Sequence, residues 1–281
     1  MKKCRLLSVI MVLMLLQVSA CGQDYKYLDD PEGLSGITIS NGIESPVSVK
    51  VVYDNYVKVK GFQSDWGFSI VIEGLDKGVL FDTGTSPEIF ESNFRKMGID
   101  PAAIDLIAIS HEHGDHTGGI PAFVKMKKNI PVLFPHSLSG SFKSRMVGLG
   151  LEPLLVKEPA KICTNLYSSG EFSGPIPEQA LVLNTKKGLV VMTGCSHPGI
   201  IRMLKEIKST FGKNVYMVFG GFHLMQKSEK EMKAIIAEMK SLGVVKCGAT
   251  HCTGDSQIKM IKDSFGEDYF ELGVGNTILI N

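Results

Sequence analysis

Apolar residues in this chain follow two rhythms, short runs of strand length and longer stretches with helical spacing, and the two alternate along most of the sequence. Residues 47–59 and 68–81 are rich in Val, Ile and aromatics and are separated by glycine-containing turns, which predicts strands paired as hairpins. Ser86-Pro87 predicts the start of a helix running to about Met97, with proline in the first turn, where its missing N–H costs nothing. Residues 104–109 predict a buried strand ending at Ser110, residues 118–128 a short helix, and residues 132–134 a further strand. The second half repeats the style. Strands at 179–183 and 189–192 flank a Lys186-Lys187-Gly188 turn, and a helix over 199–211 leads to a strand over 215–219. The helix over 229–242 is the most fully specified. Ser228 and Glu231 form a capping box, Met232, Ile235, Ile236 and Met239 share one face, and Gly243 ends it. A strand over 244–249 follows. Pattern alone therefore predicts the α/β class.

Composition narrows this only a little. A chain of 281 residues with 44% hydrophobic content can bury a full core, and one domain of that size is normal for layered α/β folds. Lys and Arg number 30 against 29 Asp and Glu, so no global field attracts nucleic acid, and none is expected as a partner.

The N-terminus differs in kind. Lys2, Lys3 and Arg5 precede an apolar run over 6–16 that is too short to span a bilayer and has the form of a secretory signal. The run closes on Val18-Ser19-Ala20-Cys21, which resembles a bacterial lipobox, where the cysteine becomes the lipidated first residue. The expected organisation is a lipoprotein signal peptide at 1–20, a tether at 21–45 and a folded domain at 46–281. Acyl chains on Cys21 would anchor an exported protein to a membrane, on the periplasmic side or at the cell surface. The mature part keeps Cys163, Cys195, Cys247 and Cys252, which an oxidising compartment could pair in three ways.

The densest chemistry lies at residues 111–117, HEHGDHT, directly after the strand that ends at Ser110. Three imidazoles and a carboxylate within six positions are the ligand types that hold Zn, Fe or Mn. Gly114 allows the tight turn that lets alternate side chains converge. His111 and His113 point one way, and Asp115 and His116 serve a second ion beside the first. Glu112 alternates away from them as a structural residue.

This stretch matches the H-x-H-x-D-H signature of the metallo-β-lactamase superfamily. WGFSIVIE at 66–73 and VLFDTG at 79–84 resemble the opening strands and the FDTG turn of that family. TGCSHPG at 193–199, GGFHL at 220–224 and HCTG at 251–254 resemble its branch named for a dihydropterin–ribofuranosylaminobenzene phosphate synthase. The likeness runs from about residue 47 to the C-terminus. It implies a four-layer αββα sandwich with metal ligands collected at one edge, and two divalent ions, zinc foremost with Mn or Fe as alternatives.

By that resemblance, His111, His113 and His197 hold one ion, and Asp115, His116 and His251 hold the other. Where the family's usual TGD supplies a bridging Asp, this chain has Cys195. Cys195 either takes the bridge, leaves it vacant, or fills space while His197 coordinates. His223 is read as a ligand, a transition-state donor or a partner behind the ligands, Asp82 as a hydrogen-bonding support, and His136 as a loop histidine. Asp115 also carries a catalytic role by orienting the water that two ions would share and acidify. Gly118-Gly119 and Gly220-Gly221 suggest backbone N–H groups turned towards an anionic small-molecule substrate. The function expected is an exported metallohydrolase using a metal-bound hydroxide on a small ester, lactone, amide or phosphoester. The alternatives are a synthase-like transferase and a di-iron redox protein.

Overall fold

The computed structural model describes residues 25–28 and 42–281. The expected signal peptide and Cys21 lie outside the described residues. The first half contains β1 (Lys26–Tyr27), β2 (Val47–Tyr53), β3 (Ser69–Glu73), β4 (Val79–Phe81), α1 (Pro87–Lys96), β5 (Leu106–Ala108), α2 (Gly114–Thr117), α3 (Ile120–Met126), β6 (Pro131–Pro135), α4 (Gly140–Gly148) and β7 (Glu152–Val156). The second half contains β8 (Ala160–Cys163), β9 (Leu166–Ser168), β10 (Leu181–Thr185), β11 (Gly188–Thr193), α5 (Ile200–Phe211), β12 (Val215–Gly221), α6 (Glu229–Ser241), β13 (Lys246–Thr250), α7 (Asp255–Phe265) and β14 (Thr277–Ile280).

These strands form an eight-stranded sheet ordered β1-β7-β6-β5-β4-β3-β2-β14 and a six-stranded sheet ordered β13-β12-β11-β10-β9-β8. Successive side chains on a strand point to opposite faces, and here both faces are buried. On β3 and β4, Ile70, Ile72, Val79 and Phe81 face the other sheet, which answers with Leu181, Leu183, Val190 and Met192. Their alternates Val71 and Leu80 pack outward against Phe90, Phe94 and Phe123 of α1 and α3. On the second sheet, Val182, Val191 and Val218 likewise face α5, α6 and α7. The result is helix, sheet, sheet, helix, the expected αββα sandwich.

Local signals place the helices as the sequence predicts. Ser86 caps α1 by accepting from Ile89 N, and the Ser228–Glu231 capping box opens α6. α5 starts at Gly199 without a side-chain cap but buries Ile200, Met203, Leu204, Ile207 and Phe211. A missing cap costs about 1 kcal/mol, whereas each such burial contributes about 1.5–3 kcal/mol, so packing decides.

Three expectations change. The run 68–81 is two strands with a turn between them, and the strand expected to reach 59 stops at Tyr53, where Asp54 and Asn55 turn towards the cluster described below. The structure also contains α4, α7 and β14, for which the sequence reading predicts no element. The expected tether is also partly structured. β1 pairs in parallel with β7, Leu28 N donates to Leu155 O, and Ile43 is 5% exposed in the core between the sheets. Apolar Leu28 and Ile43 dock because open edge and core positions accept them.

Candidate metal centre

Of the seven histidines in the sequence, all but His136 gather at one edge of the sandwich. The edge is where parallel strands end: β4, β5 and β6 run parallel in one sheet, and β11, β12 and β13 in the other. The chain leaves β5 into Ser110 and the His111–His116 loop, β11 into Cys195 and His197, β12 into His223, and β13 into His251. Side chains projecting beyond the carboxyl ends of parallel strands meet in the crevice between them, the usual ligand position of such sheets. Ring contacts link the set: His111 to His116 at 4.2 Å between centroids, His111 to His197 at 4.8 Å, His116 to His251 at 5.1 Å and His197 to His223 at 4.4 Å. Among the described residues, six that are not glycine have positive φ, and four of them (Asp82, Ser196, His223 and His251) lie here. Such conformations cost of order 1–3 kcal/mol each, so the surrounding packing holds them in place.

Hydrogen bonds fix which ring nitrogen faces inward. Asp82 is fully buried behind β4. One of its oxygens accepts from His116 Nδ1 at 2.7 Å and from Ser110 Oγ at 2.7 Å, and the other accepts from Ser110 N at 2.7 Å. Because Ser110 Oγ donates to Asp82, it accepts from His111 Nδ1 at 2.9 Å. Asn55 performs the same service for His251. Its Oδ1 accepts from Gly67 N at 3.1 Å and from His251 Nδ1 at 3.0 Å, while its Nδ2 donates to His251 O. With Nδ1 occupied on all three rings, Nε2 is the nitrogen left for the centre of the cluster. Behind Asn55, the buried Asp54 accepts from Thr250 Oγ1.

The β11 loop is held differently. Glu178 is fully buried and accepts from the backbone N–H groups of Cys195, Ser196 and His197 at 2.8, 2.8 and 2.7 Å. Burial raises its pKa to about 7, with the three amides pulling it down. Three main-chain bonds on one carboxylate hold the turn that points Cys195 and His197 inward.

Three sets of ligand atoms converge within 4.8 Å of one another: Asp115, His116, Cys195 and His251; His111, Cys195 and His197; and Cys195, His223 and Cys252. Cys195 belongs to all three and lies 3.2 Å from His116 Nε2. His113 stands beside the second set, its Nδ1 3.1 Å from His111 Nε2. Asp115 Oδ2 accepts from the Trp66 indole at 2.9 Å and stands 3.2 Å from His251 Nε2. Trp66 also lies over His251, with ring centroids 4.9 Å apart.

The electrostatics suit cations. Burial and the neighbouring rings of His223, His113 and His116 push the His197 pKa down to about 3, and burial likewise lowers His111 and His113. These rings are neutral with lone pairs available. Burial also opposes charge on His116, but the Asp82 carboxylate outweighs it and raises the pKa to about 9. Burial opposes ionisation of Asp115, yet the adjacent His251 and His116 rings hold it below the usual carboxylate range. His197 Nε2 and His251 Nε2 are buried without any hydrogen-bond partner. Buried polar atoms are rarely left unpaired, and two buried imidazole nitrogens without a hydrogen-bond partner, beside other imidazoles, a thiol and a carboxylate, fit metal coordination.

The structure thus brings together every residue expected at the site, and adds Asn55, Glu178, Ser110 and Cys252. Glu112 accepts from Ser139 N and His136 pairs with Tyr27, both away from the ring cluster. The glycine expectation is corrected. Gly118 and Gly119 both donate to Gly84 O, and Gly221 donates to Gly194 O, so these amides are not offered to a substrate. A Cβ on Gly118 would come within 1.9 Å of Thr85 O; close backbone packing is what this position requires. Cys163, Cys195, Cys247 and Cys252 are free and buried. No helix among the described residues is long and apolar enough to cross a membrane.

Comparison with known proteins agrees with this architecture. Residues 67–184 match the model of the metallo-beta-lactamase superfamily. The chain is 32% identical over 267 residues to the 7,8-dihydropterin-6-methyl-4-(beta-D-ribofuranosyl)-aminobenzene-5'-phosphate synthase of Methanocaldococcus jannaschii, covering 77% of this chain and 90% of the relative. Among solved structures, Tm1679, a metal-dependent hydrolase of the beta-lactamase superfamily, superposes with a TM-score of 0.71 at 29% identity, over 83% of this chain and 99% of that one. The metallo-beta-lactamase fold protein YhfI of Bacillus subtilis shares the fold at a TM-score of 0.61 and 15% identity, over 84% of this chain and 100% of its own. With one fold, one edge of ligands and this degree of likeness, the chain belongs to the metallo-β-lactamase superfamily.

Proposed function

We propose that this protein is a two-metal hydrolase acting on a small ester, lactone, amide or phosphoester. The observation that carries the reading is the pair of orphaned nitrogens, His197 Nε2 and His251 Nε2, one in each of two adjoining ligand sets. His111, His113 and His197 would hold one ion and Asp115, His116 and His251 the other, with Cys195 adjoining both sets. Imidazoles with a thiol between them favour zinc over Mn or Fe. Bound ions of this kind supply Lewis acidity towards a carbonyl or phosphoryl oxygen and acidify a water. Asp115, ionised and held at Oδ2 by Trp66, would accept a hydrogen bond from a water at the centre and orient it. The rigid supports behind His111, His116 and His251 keep the rings from reorganising during turnover. The test is metal content by mass spectrometry together with a panel of phosphodiester, ester, lactone and β-lactam substrates. At least two equivalents of zinc with turnover of one bond class supports the reading; iron without hydrolysis overturns it.

The 32% identity to the archaeal synthase favours a second reading, a synthase-like transferase. Formation of the product in that relative's name, in place of hydrolysis, distinguishes it. The positively charged start, the short apolar run and the lipobox-like Val18-Ser19-Ala20-Cys21 support export and a lipid anchor on Cys21.

A further inference from the structure

We propose that Cys195, His223 and Cys252 form a third metal position that takes a thiophilic divalent cation of the zinc or cadmium type. It goes beyond the two-metal reading and shares with it only Cys195. The two sulfurs and the imidazole nitrogen lie within 4.8 Å of one another. Tetrahedral sites with bonds of about 2.0–2.3 Å need ligand atoms about 3.5–4 Å apart, so a movement of about 1 Å closes the set.

Three observations support a site over incidental packing. Cys195 and Cys252 are 2% and 3% exposed, yet neither belongs to the apolar cores, where Cys163 and Cys247 serve as small hydrophobes. The three ligands sit just beyond the ends of three adjacent parallel strands, β11, β12 and β13. Phe222 N donates to Thr253 Oγ1, which donates to Thr250 O, tying the loop that carries His223 to the one that carries Cys252. His223 is exposed at the mouth, which leaves the remaining coordination position turned to solvent. Asp115 is the sole carboxylate in the three sets, so the thiolates are the anions that offset the added charge.

Cadmium titration of the metal-free full chain tests this, read by bound equivalents and by sulfur-to-cadmium absorbance. The wild type is expected to bind three equivalents. Cys252→Ser is expected to bind two, with the sulfur absorbance falling by about half as one of two soft ligands is lost. His223→Gln, at an exposed position that spares the fold, is also expected to bind two. Any other pattern, including two equivalents in the wild type, overturns the proposal. Failure of the two-metal reading shows separately, as His111→Ala and His251→Ala variants that lose no equivalent.

Discussion

His116 Nδ1 lies 2.7 Å from Asp82 Oδ2, and both side chains are closed off from solvent. In the metal-free protein this pair holds a proton on His116 up to about pH 9, against 6.5 for a free imidazole. A raised histidine pKa contributes stability that is complete below 6.5 and is lost as pH climbs through about 9. Thermal melts of metal-free protein should therefore fall across that window, and those of Asp82→Asn should fall less. A metal at His116 must displace the Nε2 proton, so calorimetry should detect proton release on binding and affinity rising with pH over the same range. Asp82→Asn should weaken metal binding about 10–100-fold.

Asn55 has no place in the ligand sets, yet it fixes the His251 ring. Asn55→Ala should lower the affinity of the position formed by Asp115, His116 and His251 by about tenfold or more, leaving the His111 position filled. Stepwise metal titration reads the two apart; equal weakening of both would count against a local role.

His111→Ala and His251→Ala should each lose one metal equivalent and hydrolytic turnover. Either variant retaining full metal content and activity would sink the two-metal reading.

Glu178→Gln places an amide N–H₂ against one of three backbone donors. The expected loss is about 1–3 kcal/mol in denaturant unfolding, the cost of a buried donor left unpaired. Lost metal at the His197 position should accompany it, since the turn that aims His197 is released.

Cys21→Ala should move the protein from the membrane fraction to the soluble exported fraction, as judged by cell fractionation. Unchanged membrane retention would argue against the lipid anchor.

The sandwich and the residues that gather at its edge were legible in the sequence for local reasons. Val residues alternating with half-buried Ser48 and Lys50 in β2, and the continuous apolar run Ile70-Val71-Ile72 in β3, mark strands, and the histidines of residues 111–116 declare themselves by density. Asn55 and Glu178 were not legible, because each is a lone polar residue whose role lies in a distant partner. Asn55 meets His251 across 196 positions, and Glu178 acts on main-chain N–H groups, which carry no sequence signature. The tether expectation failed at Leu28 and Ile43 for a similar reason. Single apolar residues in a polar stretch give no period, although each finds a place on the sheet edge or in the core. Cys195 was legible as a departure from its family's pattern, but its place among three ligand sets required the three strand ends to be seen side by side.

Glu178 grips the β11 loop by its peptide groups and ignores what the loop displays. The path of the chain past the candidate metal centre is thereby uncoupled from the chemistry at 195 and 197. A carboxylate, a thiol or a hydroxyl can be exchanged at residue 195 while the loop keeps its course. The centre can be re-tuned to a different ion or bond one side chain at a time, with the scaffold left as it is.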